Sequence, residues 1–162
     1  MHRRKTQPWE VCLNNYDTFN EFLVTLFYRI NHFESNAVIT EEFRDITMND
    51  MHIIDAIGIQ EKKSMSAVAK DLSVTVGTLT TTVNNLLKKG YVRRTRSEAD
   101  RRVVLLSLTA KGRKAYHHHR QFHEDMIQSM LAGMNENEIA ALKKALDNLS
   151  SFFQRDSGKP RS

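Results

Sequence analysis

"DLSVTVGTLTTTVNNLLKKGYVRRTRSEADRRVVLLSLTAKG", residues 71 to 112, decides how this chain folds. From Val76 to Lys89, the residues Val76, Leu79, Val83, Leu86 and Leu87 fall within about 100° of one another at roughly 3.6 residues per turn, which makes them the inward face of a helix. The opposite face is Gly77, Thr78, Thr81, Asn84, Asn85 and Lys88, and it carries no carboxylate. An exposed helix ordinarily uses Glu and Lys, whereas Thr and Asn are mediocre helix formers. They are, however, short hydrogen-bonding groups able to read base edges, and their neutrality does not repel phosphate. A capping-rich or loosely formed helix is the other reading of that face.

Upstream, Ser66 to Leu72 reads as a short helix with Ser66 as N-cap and Val68, Ala69 and Leu72 inward, followed by a turn over Ser73 to Thr75. Gly90 stands where a chain leaves a helix through left-handed dihedrals. Two short helices joined by a short turn, the second with a polar uncharged face, follow the helix-turn-helix plan. Downstream, "YVRRTR" and "RRVVLLSL" read as strands separated by the turn formers "SEAD". The expected fold is mainly α with a small β-hairpin wing beside a recognition helix.

The charge follows this plan. Of a net charge of +5, residues 88 to 102 supply seven Lys or Arg against Glu98 and Asp100, and the remaining chain is balanced at seventeen basic and seventeen acidic side chains. A field confined to one window is the footprint of a polyanion partner, a solvated loop being the plain alternative. On a wing, Arg94, Arg96, Arg101 and Arg102, with Lys88 from the helix, reach phosphates and the minor groove. Gly77, Thr78, Thr81, Asn84 and Asn85 then face the major groove of double-stranded DNA. Because Asn pairs bidentately with adenine, the operator is expected to be A·T-rich.

The flanks are helical. Phe19, Phe22, Leu23, Leu26, Phe27, Ile30 and Phe33 form one apolar stripe over residues 16 to 34. Thr47 and Asp50 resemble a capping box that opens a second helix with Met51, Ile54 and Ile57 inward and Gly58 as its stop. A long helix is expected from Thr109 to about Ala132, ended by Gly133, and Asn135 with Glu138 opens a last one bearing Ile139, Leu142, Leu146, Leu149 and Phe152. The expected organisation is a flexible segment 1–13, a helical dimerisation region 14–46 and 109–154, a winged helix-turn-helix 47–108, and a flexible tail 155–162. A small DNA-binding module cannot cover both terminal stripes. A homodimer can, setting two recognition helices about one DNA turn apart.

Other classes fit poorly. No apolar run approaches the roughly 18 residues of a membrane span, and the start "MHRRKTQPWE" lacks the apolar core of a secretory signal. A cytoplasmic protein is expected, and the single Cys12 has no internal disulfide partner. No G-x-S-x-G, phosphate-cradling loop or zinc-hydrolase motif occurs, so neither an enzyme nor a cofactor is expected. A pure protein-interaction module accounts for the amphipathic helices but not for the concentrated charge.

The run from Asp71 to Gly112 resembles the MarR family of winged-helix repressors, through Gly90 closing the recognition helix, Asp100 with Arg102 on the wing, and Leu108, Thr109 and Gly112 after it. The resemblance implies a homodimer on a pseudo-palindromic operator, with Arg102 in the minor groove and its guanidinium held by Asp100. Within the family, "TVGTLTTTVNNL", "KKGYV", "RTRSEADRRVV" and "MHIIDAIG" are similar to the FabT branch, which represses fatty-acid synthesis genes. That similarity implies a long-chain acyl group on acyl carrier protein as co-repressor, without placing its pocket. A zinc-responsive or other small-ligand-responsive MarR repressor is the alternative.

His117, His118, His119 and His123 bear on that alternative, since His119 and His123 stand at i, i+4. Some relatives in the family sense zinc with histidines on this helix. A tetrahedral site needs two further ligands, and Glu41, Glu42 and His52 show no spacing signal, so these histidines are expected at solvent or an interface and no metal site is expected. In the peroxide-sensing branch the cysteine lies further along, inside the first dimer helix, so Cys12 is not expected to sense peroxide.

Overall fold

A computed structural model of the chain describes residues 16–156. The segment 1–13 with Cys12, and residues 157–162 of the expected tail, lie outside them. In chain order the elements are α1 (Tyr16–Val38), a 3-10 turn (Glu41–Phe43), α2 (Met48–Ile57), β1 (Lys63–Ser64), α3 (Met65–Asp71), α4 (Val76–Lys88), β2 (Val92–Arg96), β3 (Val104–Leu108), α5 (Ala110–Leu131) and α6 (Glu136–Asp156). They divide between two compact units, residues 1–122 and 123–162, with α5 running through the boundary.

The first unit holds the core. Met51, Ile54 and Ile57 of α2, Val68 and Ala69 of α3, and Leu79, Val83 and Leu86 of α4 are buried with Tyr91 and Leu106 of the hairpin. Val38 of α1 and Ala115 of α5 close the same cluster. Each such Leu, Ile or Val contributes about 1.5–3 kcal/mol relative to exposure.

The caps explain the boundaries. Thr47 Oγ1 accepts the Asp50 N–H at 3.2 Å while Asp50 Oδ2 accepts the Thr47 N–H at 3.0 Å, the expected capping box. A second box opens α6, with the Asn135 N–H donating to Glu138 Oε2 at 2.8 Å and the Glu138 N–H to Asn135 Oδ1 at 3.1 Å.

Four details differ from the sequence expectation. The cap of α3 is Ser64, which accepts the Ala67 N–H at 3.1 Å, and not Ser66. The cause is β1, a third strand: Lys63 and Ser64 pair with Leu106 and Leu105, and the ladder holds Ser64 in the extended conformation an N-cap needs. Helix α1 runs on to Val38, whose side chain is buried in the core. Val76, expected inward, is 44% exposed because the first turn of α4 projects beyond the core. Arg101 and Arg102, expected in the second strand, lie in the turn, since the ladder runs from Val92↔Leu108 to Arg96↔Val104 and closes with the Ser97 N–H donating to the Val103 carbonyl at 3.0 Å.

One junction fixes the recognition helix to the hairpin and to α5. Gly90, at φ +77°, lets the Gly90 N–H reach the Leu87 carbonyl (3.1 Å) and the Tyr91 N–H the Leu86 carbonyl (2.9 Å), a Schellman closure. The Thr109 hydroxyl donates to the Gly90 carbonyl at 2.6 Å, and the Thr109 N–H donates to the Tyr91 carbonyl at 3.0 Å. The same hydroxyl accepts the Gly112 N–H at 3.1 Å, capping α5. Gly112 has no room for a side chain: a Cβ there would stand 2.1 Å from the Tyr91 carbonyl oxygen. Leu108, Thr109 and Gly112 are thus the residues that join strand, recognition helix and α5.

In the first unit α1 leaves Phe19, Phe22, Phe27 and Phe33 more than half exposed, and in the second α6 leaves Phe152 and Phe153 so. Among the described residues no helix is long and apolar enough to cross a membrane.

Candidate nucleic-acid interface

Helix α4 begins after a turn in which Ser73 takes φ +55°, and Thr75 caps it by accepting the Thr78 N–H at 3.1 Å. Anchored by Leu79, Val83 and Leu86, it leaves Gly77, Thr78, Thr81, Asn84, Asn85 and Lys88 all exposed on the other side. The Thr78 hydroxyl lies 2.9 Å from that of Thr75, so its hydrogen bonding is shared with the cap. The hydroxyl of Thr80 is spent on the Val76 carbonyl at 2.7 Å, consistent with its position off the outward face.

The hairpin brings the arginines to this helix in two groups. Side chains alternate along a strand, so Arg94 and Arg96 share one face of β2 and Arg93 takes the other. Arg94 and Arg102 line a groove with Ser66, Val76 and Thr80 at the start of α4. Arg96 and Arg101 stand at the tip with Ser97 and Glu98. Asp100 acts on the main chain: its Oδ1 accepts the Arg102 backbone N–H at 2.9 Å, shaping the turn that presents Arg102, and does not hold the guanidinium as the family resemblance implied.

Several bases elsewhere in the fold are paired with carboxylates. Lys63 pairs with Asp71 at 2.9 Å, Lys89 with Asp50 at 3.3 Å and Lys111 with Asp45 at 2.9 Å. Among the described residues, Arg94, Arg96, Arg101 and Arg102 have no carboxylate partner. The positive field is therefore both concentrated and available, next to a helix face without acids. Behind it, Asp45 accepts the hydroxyl of buried Tyr91 at 2.6 Å, which, with Lys111, holds its carboxyl below the ordinary range, while burial and Asp45 push the Tyr91 phenol up. Lys111 Nζ also sits 4.1 Å from the Tyr91 ring centre. Sequence periodicity gave no sign of this brace, because Asp45 and Tyr91 belong to different elements.

The histidines depart from expectation. His117 is exposed as expected, and half-buried His118 donates to the Ala37 carbonyl at 3.1 Å. His119 is buried, with Nε2 2.8 Å from Glu34 Oε1, and His52 Nε2 lies 3.4 Å from the same oxygen. Burial alone would raise the Glu34 carboxyl; hydrogen bonds from His119 and then His52 more than offset it and hold it below the ordinary value. Glu41 and Glu42 are engaged elsewhere, with Arg44 at 3.2 Å and Lys114 at 3.3 Å. Glu34 had no sequence signal, being one acid on an amphipathic helix.

Known proteins share these features. The MarR family profile matches residues 46–104, the span from the start of α2 to the start of β3. The transcriptional regulator SarZ of Staphylococcus saprophyticus is 30% identical over 113 residues, 69% of this chain and 76% of that protein. The crystal structure of Streptococcus pneumoniae FabT in complex with DNA is similar at a TM-score of 0.80 and 44% identity, covering 86% of this chain and 98% of that one. A mutant MarR from E. coli complexed with operator DNA is similar at a TM-score of 0.57 and 27% identity, covering 81% of this chain and 96% of that one. With a winged helix-turn-helix whose recognition face is free of acids and whose wing arginines are unpaired, this chain belongs to the MarR family and is a DNA-binding transcriptional regulator of that type.

Proposed function

We propose that the protein is a cytoplasmic, homodimeric repressor of fatty-acid synthesis genes that binds a pseudo-palindromic operator, with a long-chain acyl group on acyl carrier protein as co-repressor. The observation that carries this reading is the likeness, at 44% identity, to FabT of S. pneumoniae in complex with DNA across nearly all of that chain. In this reading Thr78, Thr81, Asn84, Asn85 and the bare backbone at Gly77 meet base edges in the major groove. Lys88, Arg94, Arg96 and Arg101 neutralise phosphates, and Arg102, set by the Asp100 turn, enters the minor groove, where a narrow groove concentrates negative potential. The exposed aromatic face of α1 supports a second copy as its cover, because a patch of this kind in water marks an association surface. An acidic carrier protein suits a basic dimer.

The test is binding to promoter fragments of fatty-acid synthesis genes, with and without long-chain acyl carrier protein. Tight, salt-dependent retardation strengthened by the acylated carrier is expected. Equal affinity for promoter and random DNA under both conditions would refute the assignment.

A further inference from the structure

We propose that the outer face of the hairpin sheet, built on Lys62, Arg93 and Arg113, is the docking surface for the acidic carrier protein, engaged while the operator is bound. This rests on the co-repressor reading above. The strand order β1-β3-β2 and its register place the residues. Arg93 pairs with Ser107, and because Lys63 pairs with Leu106 in an antiparallel ladder, Lys62 falls opposite Ser107 on its other side. Residues directly opposite one another project from the same face, so Lys62, Ser107 and Arg93 form one row across the sheet. Two strand spacings set the two bases roughly 10 Å apart. Arg113 reaches the same place from the first turn of α5. Its Nη1 donates to the Leu108 carbonyl at 3.2 Å, and with Ile59, Glu61, Lys62 and Ser107 it lines a cavity of about 90 Å³.

The charge on this face is uncommitted. Lys62, Arg93 and Arg113 are all exposed, and among the described residues none has a carboxylate partner. Glu61 is the one acid lining the cavity, so positive charge is in excess there. Bases about one Debye length apart act together on an approaching acidic surface. Ile59, 37% exposed, adds an apolar contact beside them. Charges on edge strands also guard a sheet against pairing, but Lys62 and Arg93 would serve that end without Arg113 arriving from another element.

Alternation along the strands separates this face from the operator. Arg94 and Leu106 project from the opposite side, where Leu106 enters the core and Arg94 lines the groove with Val76 and Thr80 of α4. A duplex held by α4 and the wing arginines lies on that side. A co-repressor has to hold the protein while DNA is held; a partner seated beside α4 would compete with the duplex and act as an inducer instead. The outer face leaves the operator in place. It also borders the hairpin root, since Ser107 and Arg113 flank Leu108 and Thr109, so a docked carrier bears on the junction that sets the wing.

The experiment titrates the full chain with long-chain acyl carrier protein, and measures affinity for a fatty-acid synthesis promoter fragment with and without that carrier. The decisive variant is K62E/R93E, because both side chains are exposed and the melting temperature checks that the fold is kept; Arg113 is spared for its bond to the Leu108 carbonyl. Carrier binding should weaken by about tenfold or more and the carrier's effect on DNA affinity should vanish, with carrier-free DNA affinity within about twofold of wild type. K62R/R93K, which keeps the charges, and K144E, which reverses one on α6, should both behave as wild type. Equal carrier binding by K62E/R93E and wild type would overturn the docking face and leave the co-repressor reading standing. A matching loss of carrier-free DNA affinity would assign the face to the duplex and overturn it too. A wild-type chain whose DNA affinity ignores the acylated carrier would overturn the co-repressor reading, and the docking face with it.

Discussion

Gly112→Ala tests the junction on which the wing's position depends. An alanine Cβ would sit 2.1 Å from the Tyr91 carbonyl oxygen, 3.1 Å from its carbon and 3.3 Å from the Leu108 Cβ. Ordinary contact begins near 3.4 Å, so α5 or Tyr91 must retreat by more than an ångström. Tyr91 cannot easily yield: its N–H closes α4 on Leu86 and its carbonyl accepts the Thr109 N–H. Overpacking of this kind costs about 1–3 kcal/mol, and losing the Thr109 hydrogen bond costs about 1 kcal/mol more. Alanine's helix propensity returns roughly 1 kcal/mol at most. The net loss is about 1–3 kcal/mol, a fall in melting temperature of roughly 2–12 °C for a chain of this size. Gly133→Ala is the control, since Gly133 has φ +80° with nothing within 4 Å and carries backbone strain alone. Urea and thermal melts of both variants, with DNA binding measured at a temperature where each is folded, decide the matter. A Gly112→Ala protein within about 0.5 kcal/mol of wild type, the scatter of neutral surface substitutions, would show that the close approach does not exist.

The remaining predictions concern the interface and its brace. Arg102→Ala should weaken binding to a selected operator by about 1–3 kcal/mol and leave the melting temperature unchanged; undiminished affinity would remove Arg102 from the contact surface. Asn84→Ala should relax base preference at one position, while Lys88→Ala lowers affinity for every sequence and flattens the salt dependence by about one phosphate; identical binding profiles for the two would mean that α4 presents a different face. Tyr91→Phe removes the donor that most lowers the Asp45 carboxyl from its ordinary 3.8. A depressed carboxyl adds stability above its unfolded value and loses it as pH falls through the folded one. The variant should therefore be less stable by roughly 1 kcal/mol at neutral pH, the low end for a charged hydrogen bond because Asp45 is partly exposed, and the gap should close below about pH 4. A pH-independent gap in urea melts would contradict this.

The winged plan was legible because its signals are local. The α4 period, the capping boxes at Thr47 and Asn135, and Gly90 and Gly133 each declare themselves within a few residues. What escaped depends on long-range pairing. The two-residue β1 has no period and exists only against β3, and its ladder moved the α3 cap from Ser66 to Ser64. Arg101 and Arg102 read as strand because Val103 and Val104 come next, and the register of β2 against β3 put them in the turn. The buried pair was half visible: His119 stands in the histidine run that the sequence shows, while Glu34 meets it from α1, with His52 of α2 on the same carboxylate oxygen, through the packing of the core. The outward residues of α4 were found as a set because a missing charge type is a property of sequence and needs no contact map.

The hairpin is fastened at its base and open at its end. Thr109, Gly90 and Tyr91 fix where β2 starts and β3 ends, and nothing in that fastening depends on how many residues lie between Ser97 and Val103. Length changes at the end therefore leave the root intact, so the span over which the arginines extend is adjustable by insertion or deletion alone. A regulator with this anatomy can be fitted to a wider or narrower duplex by editing one loop, without repacking its interior.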